Sequence, residues 1–167
     1  IERPQDFIAL TPNVSIVDTA NAGDTQVTIR GQYSTRDAES SFAYVVDGVL
    51  ITNPNGFNGE LFDVEQIEVL KGPQGALYGR NATSGAILVR TQRPTNEFEG
   101  RIMGGVGDDN LVKGQGMISG PLIKDQLFGR IAVSYRDTDG QFENDLTGDD
   151  DVINNLEETN VRGRMVW

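Results

Sequence analysis

From Asp63 to Pro94 the chain reads DVEQIEVLKGPQGALYGRNATSGAILVRTQRP, and the reading of this stretch decides the fold. Asp63 with Gln66 three positions later fits a capping-box variant, which predicts a helical turn at its start. The alternation that follows through Ile67 and Val69 predicts a strand, and Lys71-Gly72-Pro73 stops it. Gly72, Gly75, Gly79 and Gly85 then punctuate the chain around a short Ala-Leu-Tyr segment. Glycine alone enters positive φ freely, so tight turns or close backbone packing are expected there. A second strand, residues 86–91, leads to Arg93-Pro94.

On the N-terminal side, residues 4–10 read as a short helix with Phe7, Ile8 and Leu10 on its apolar side, ended by Pro12-Asn13. Residues 14–17 predict a strand and residues 20–24 a polar turn. Val27-Thr28-Ile29-Arg30-Gly31 alternates as another strand. Residues 32–41 form a polar loop and residues 42–51 a strongly apolar strand in which Asp47-Gly48 signals a turn or bulge. Residues 52–60 form a second loop, rich in Asn and Gly. Both loops are expected to be exposed.

From Phe98 the pattern changes. Residues 98–107, 111–120 and 127–136 are each ten long, matching the ~9–11 residues that a tilted strand needs to cross a bilayer. The connections, 108–110 and 121–126, are short enough for antiparallel hairpins. Residues 161–167 begin a fourth strand. Parity separates the side chains. Phe98, Gly100, Ile102, Gly104 and Val106 share one face with Val112, Gly114, Gly116, Ile118 and Gly120. Leu127, Gly129, Ile131, Val133, Tyr135, Val161, Gly163, Met165 and Trp167 complete that charge-free face. Arg101, Lys113, Arg130, Arg136, Arg162 and Arg164 all fall on the opposite parity. A soluble sandwich also alternates, but with shorter strands and no need of a charge-free outer face.

The run from Ile67 to Ile87, with Arg30-Gly31 and Tyr44-Val45-Val46-Asp47-Gly48-Val49 before it, resembles the plug domain of TonB-dependent outer-membrane receptors. At Leu88 the family more often has Asn, so one local hydrogen bond of the family is not expected here. The resemblance implies an α+β plug domain over residues 1–96, followed over 97–167 by antiparallel transmembrane β-strands. These would be the start of a large β-barrel of about 22 strands. It implies a fragment of a bacterial outer-membrane receptor, performing no chemistry and needing no cofactor. Such a receptor takes up a scarce large solute of siderophore, cobalamin or oligosaccharide type. Its partners would be outer-membrane lipid, the extracellular solute and the inner-membrane TonB complex, whose contact segment is expected to precede Ile1 or be absent. Plug loops of the family reach toward the outside, which makes Gln32, Tyr33, Ser34, Arg36, Asn55, Phe57 and Asn58 the candidate solute contacts.

Composition excludes several other classes. Against 14 Lys and Arg stand 25 Asp and Glu, a net charge of −11, which argues against nucleic acid as a partner. The chain has no Cys and no His, removing thiol nucleophiles, Ser-His-Asp triads, disulfides and nearly all zinc sites. No apolar run reaches the length of a spanning helix.

Residues 137–158 hold nine acidic side chains and no basic one, and read as a long exposed loop. Asp137-Thr138-Asp139-Gly140 fails the EF-hand pattern, because Gly stands fourth rather than sixth and the twelfth position lacks Glu. No metal site is expected. Asn81-Ala82-Thr83 is a chance sequon, and residues 75–79 lack the Lys-Ser/Thr ending of a phosphate loop. The alternative reading is a free-standing β-rich envelope binding module or adhesin whose acidic loop binds calcium.

Overall fold

The computed structural model describes residues 3–18, 25–33, 40–52, 54–57, 59–79, 81–108, 110–139 and 156–167. The chain divides into two compact units, 1–92 and 93–167.

The first unit opens with helix α1 (Pro4–Ile8), with Pro in its first turn and the Asp6 carboxylate accepting the Arg3 backbone N–H at 3.1 Å. It ends two residues before the predicted boundary, and Leu10 is exposed. Strands β1 (Val14–Asp18), β2 (Thr25–Ile29) and β3 (Gln32–Tyr33) form an antiparallel sheet. A two-residue turn joins β2 to β3, with Arg30 and Gly31 both at positive φ.

The second sheet has the order β5-β4-β7-β6, from β4 (Phe42–Val46), β5 (Val49–Ile51), β6 (Val64–Lys71) and β7 (Gly85–Thr91). The apolar run 42–51 is therefore a hairpin rather than one strand. Asp47 at φ 48° and Gly48 at φ 86° make the mirror-image turn whose twist suits two paired strands. β4 and β7 run parallel at the centre, and β6 is antiparallel to β7. The helical turn expected at Asp63 does not form. Asp63 has φ 55° and its carbonyl accepts the Gln92 N–H at 2.9 Å, so the β6–β7 ladder overrides the local cap signal. Between β6 and β7 the glycine-punctuated segment makes a single helical turn, α2 (Gly75–Tyr78).

Alternation along β4 and β7 gives the sheet two apolar faces. Phe42, Tyr44, Ile87 and Val89 join Phe7, Ile8, Val27, Ile29, Phe57 and Leu61 in the larger cluster. Ala43, Val45, Ala82 and Ala86 form the smaller one, against which Leu88 packs. Position 88 thus uses its side chain for packing.

The second unit is a four-stranded antiparallel meander, β8 (Glu99–Val106), β9 (Val112–Ile123), β10 (Leu127–Thr138) and β11 (Leu156–Val166). β9 runs through Pro121 to Ile123, so the expected six-residue connection is a tight turn, 124–126, with Asp125 at positive φ. A register shift between Leu127 and Phe128 leaves Leu122 as a bulged residue on β9. Proline is tolerated beside such a bulge. The acidic segment is shorter than expected at both ends. Asp137 and Thr138 extend β10, Glu157 and Glu158 belong to β11, and residues 140–155 lie outside the described residues.

Candidate functional site

The signature stretch is held by backbone contacts. Asp47 accepts the Thr91 N–H at 2.9 Å through Oδ1 and the Thr91 hydroxyl at 2.6 Å through Oδ2, while its own N–H donates to the Val89 carbonyl. Thr91 is fully buried, so this carboxylate satisfies donors that water cannot reach. The Ser41 carbonyl accepts the Ser84 N–H, the Ser84 hydroxyl and the Thr83 hydroxyl at 2.9, 3.0 and 3.1 Å. Lys71 Nζ donates to the Pro12 carbonyl at 2.6 Å, tying the end of β6 to the segment after α1. These residues build the frame of the first unit.

The candidate solute contacts divide. Gln32 is exposed on β3, and Tyr33 ends that strand. Asn55 lies in the 3-10 turn Pro54–Phe57, which packs against β2 and β5. Ser34, Arg36 and Asn58 lie outside the described residues. Phe57 is a correction. It is only 4% exposed, and its ring meets Phe42 edge-on at 5.3 Å and Tyr44 at 5.0 Å. The turn begun by Pro54 folds this aromatic back into the larger core, which the Asn/Gly-rich composition around it conceals.

The second unit inverts the usual order of burial. Along β10, Arg130, Ala132 and Ser134 are buried while Ile131, Val133 and Tyr135 are exposed. The register carries that inversion across all four strands. Ile131 stands opposite Ile118 on one side and Gly163 on the other, and Ile102 opposite Gly116. On the other face a lateral row joins Glu99, Ser119, Arg130 and Arg164. Arg130 is 7% exposed and lies 3.9 Å from the Glu99 carboxylate. Arg136 faces Lys113 and Glu158, so the polar face gathers all six strand cations named by parity. On the apolar face Ile102 is 91% and Trp167 97% exposed. Water penalises such a surface and hydrocarbon does not.

Among the described residues no helix is long and apolar enough to cross a membrane, and no three metal-ligating side chains cluster.

Comparison with known proteins agrees with this geometry. Residues 1–86 match the family model of the TonB-dependent receptor plug domain. The chain is 33% identical over 142 residues to the pesticin receptor of Yersinia enterocolitica, a match covering 84% of this chain and 21% of that protein. It is 27% identical to a probable TonB-dependent siderophore receptor, PirA, of Acinetobacter baumannii, covering 97% of this chain and 24% of that one. Among solved structures, the ferric yersiniabactin uptake receptor FyuA of Yersinia pestis superposes with a TM-score of 0.86 at 28% identity, covering 96% of this chain and 25% of that one. The chain therefore spans about a fifth to a quarter of the length of these relatives.

Proposed function

The chain belongs to the TonB-dependent receptor plug-domain family of the bacterial outer membrane, and on that premise we propose that the receptor containing it takes up a ferric siderophore. The first unit is the α+β plug and the second the first strands of the barrel wall. The observation that supports an uptake role most directly is the burial pattern of β10, where arginine and serine are covered while isoleucine and valine are exposed. A free-standing binding module in water has no use for that arrangement. A wall between lipid and a polar lumen requires it.

The substrate class rests on the relatives, two of which are described as a ferric yersiniabactin uptake receptor and a probable siderophore receptor. That favours an iron chelate over cobalamin or an oligosaccharide. Gln32, Tyr33, Ser34, Arg36, Asn55 and Asn58 are its proposed contacts on the plug, with Phe57 supporting the second loop from beneath. An inner-membrane TonB complex supplies the energy, and outer-membrane lipid surrounds the wall. No enzymatic step belongs to this reading.

The test is iron uptake. The full-length receptor is expressed in a strain stripped of its own siderophore receptors and offered a panel of radiolabelled ferric siderophores. Uptake of at least one of them, lost when the TonB complex is deleted, is the expected result. Equal uptake with and without the receptor across a panel spanning catecholate, hydroxamate and phenolate chelates would overturn the proposal.

A further inference from the structure

The exposed apolar face of the second unit is not uniform. Gly120 and Gly129 stand opposite each other on β9 and β10, and each lies beneath a neighbouring side chain. A β-carbon on Gly120 would come within 3.2 Å of the Phe98 ring, and one on Gly129 within 3.0 Å of Leu122 Cδ1. The β-bulge at Leu122 is what lays that side chain across its neighbour strand. Beside these two roofed glycines, Gly163 is open, with nothing within 4 Å of where its β-carbon would stand. The result is a groove of about 480 Å³ bounded by Phe98, Leu122 and Met165 with glycines in its floor. Ser119, Arg130 and Arg164 also line it.

We propose that this groove holds one acyl chain of a membrane phospholipid, with Lys124 meeting the lipid phosphate. The inference rests on the outer-membrane reading, because only there does this face meet hydrocarbon. Three features commit it to lipid. The surrounding face carries no charge over residues 98–106, 112–122, 127–135 and 161–165, the carboxylates Asp137 and Glu157 lying at the far end of β10 and β11. The floor admits a thin, flexible chain where Gly163 leaves it open. Two residues beyond Leu122 in the chain, Lys124 is exposed in the turn 124–126 and complements an anionic headgroup. A chain lying there gains contacts on several sides, where a lipid against a flat wall has them on one.

The intact receptor is reconstituted into phosphatidylethanolamine and phosphatidylglycerol vesicles doped with a phospholipid carrying a diazirine in one acyl chain. It is irradiated, digested and mapped. Labelling at Leu122 and Met165 is expected to exceed that at Ile102 and Val106, which share the face outside the groove, by severalfold. Gly163→Leu fills the open floor and is expected to abolish the excess while leaving Ile102 and Val106 as before. Lys124→Glu is expected to lower it, and an undiminished excess would overturn the role given to Lys124. Equal labelling at all four positions overturns the groove and leaves the wall standing as a lipid-exposed surface. Absence of label from all four overturns the wall as well. Disulfide formation between two receptor copies that each carry Met165→Cys overturns lipid as the occupant.

Discussion

Gly85 and Leu70 approach so closely across the β6–β7 ladder that a β-carbon at position 85 would stand 2.3 Å from the Leu70 carbonyl oxygen. The obstacle is backbone within a hydrogen-bonded sheet, where no rotamer change relieves it. Gly85→Ala is therefore expected to destabilise the first unit by about 1–3 kcal/mol, the usual cost of overpacking. Urea denaturation of the purified variant measures it, and an unchanged midpoint would show that the ladder yields more easily than its geometry implies.

Asp47 links the β4–β5 turn to the end of β7 through Thr91. Asp47→Ala removes the acceptor of a buried N–H and a buried hydroxyl, at a cost of about 1–3 kcal/mol. Asp47→Asn retains an acceptor and the tolerance for positive φ, and is expected to lose less. The two variants compared by thermal melting separate the hydrogen bonds from the turn, and equal losses would assign the effect to the backbone.

Phe57 and Gln32 were grouped by sequence and are parted by structure. Phe57→Ala removes an aromatic from the larger core and is expected to cost about 3–5 kcal/mol in stability. Gln32→Ala, at an exposed site, is expected to stay within about 0.5 kcal/mol of the parent. Any change in chelate affinity for Gln32→Ala therefore reports binding directly. The check is calorimetric binding beside a denaturation curve for each variant.

The inversion along β10 gives the strongest test of the wall. Ile131→Arg is expected to impair insertion of the full receptor, since arginine at a mid-bilayer lipid-facing position costs about 2–4 kcal/mol. Arg130→Ile should leave insertion intact. Single cysteines replacing Gly129, Ile131 and Val133 should react with a lipid-soluble maleimide and not a water-soluble one, and those replacing Arg101 and Met103, exposed on the opposite face, should do the reverse. Equal labelling of both sets by the water-soluble reagent would rule out the membrane assignment.

Residues 1–96, expressed alone, are expected to fold as a soluble unit, because both apolar clusters of the first unit are built entirely from residues before Gln92. Dispersed amide resonances are the expected readout. A random-coil spectrum would refute independence.

Much of this architecture was legible because parity is a local property. The separation of apolar from basic side chains along β8 to β11 follows from counting every second residue, and the register then aligns the faces across strands. What sequence reading missed was decided by contacts distant along the chain. Asp63 carries a helix-start signal, yet its carbonyl is taken by Gln92, 29 residues on. Phe57 looks exposed until Phe42 and Tyr44 are brought beside it. Strand ends slipped for a similar reason. β11 begins at Leu156 because β10 offers it a partner in Thr138, and the acidic character of Glu157 and Glu158 gives no hint of this. Of the site itself, Gln32 could be read as an exposed polar residue, whereas the glycine floor beside Phe98 required knowing which strands are neighbours.

The two units also make opposite demands on the route the chain takes after synthesis. Residues of the first unit can bury their apolar side chains against one another in water. The second unit offers water a continuous sheet of Ile102, Val106, Ile118, Ile131, Val161 and Met165, together with strand edges on β8 and β11 that have one hydrogen-bonded neighbour each among the described residues. Such a surface aggregates in an aqueous compartment. In water this face is therefore expected to self-associate, and a detergent that covers it to keep the chain dispersed.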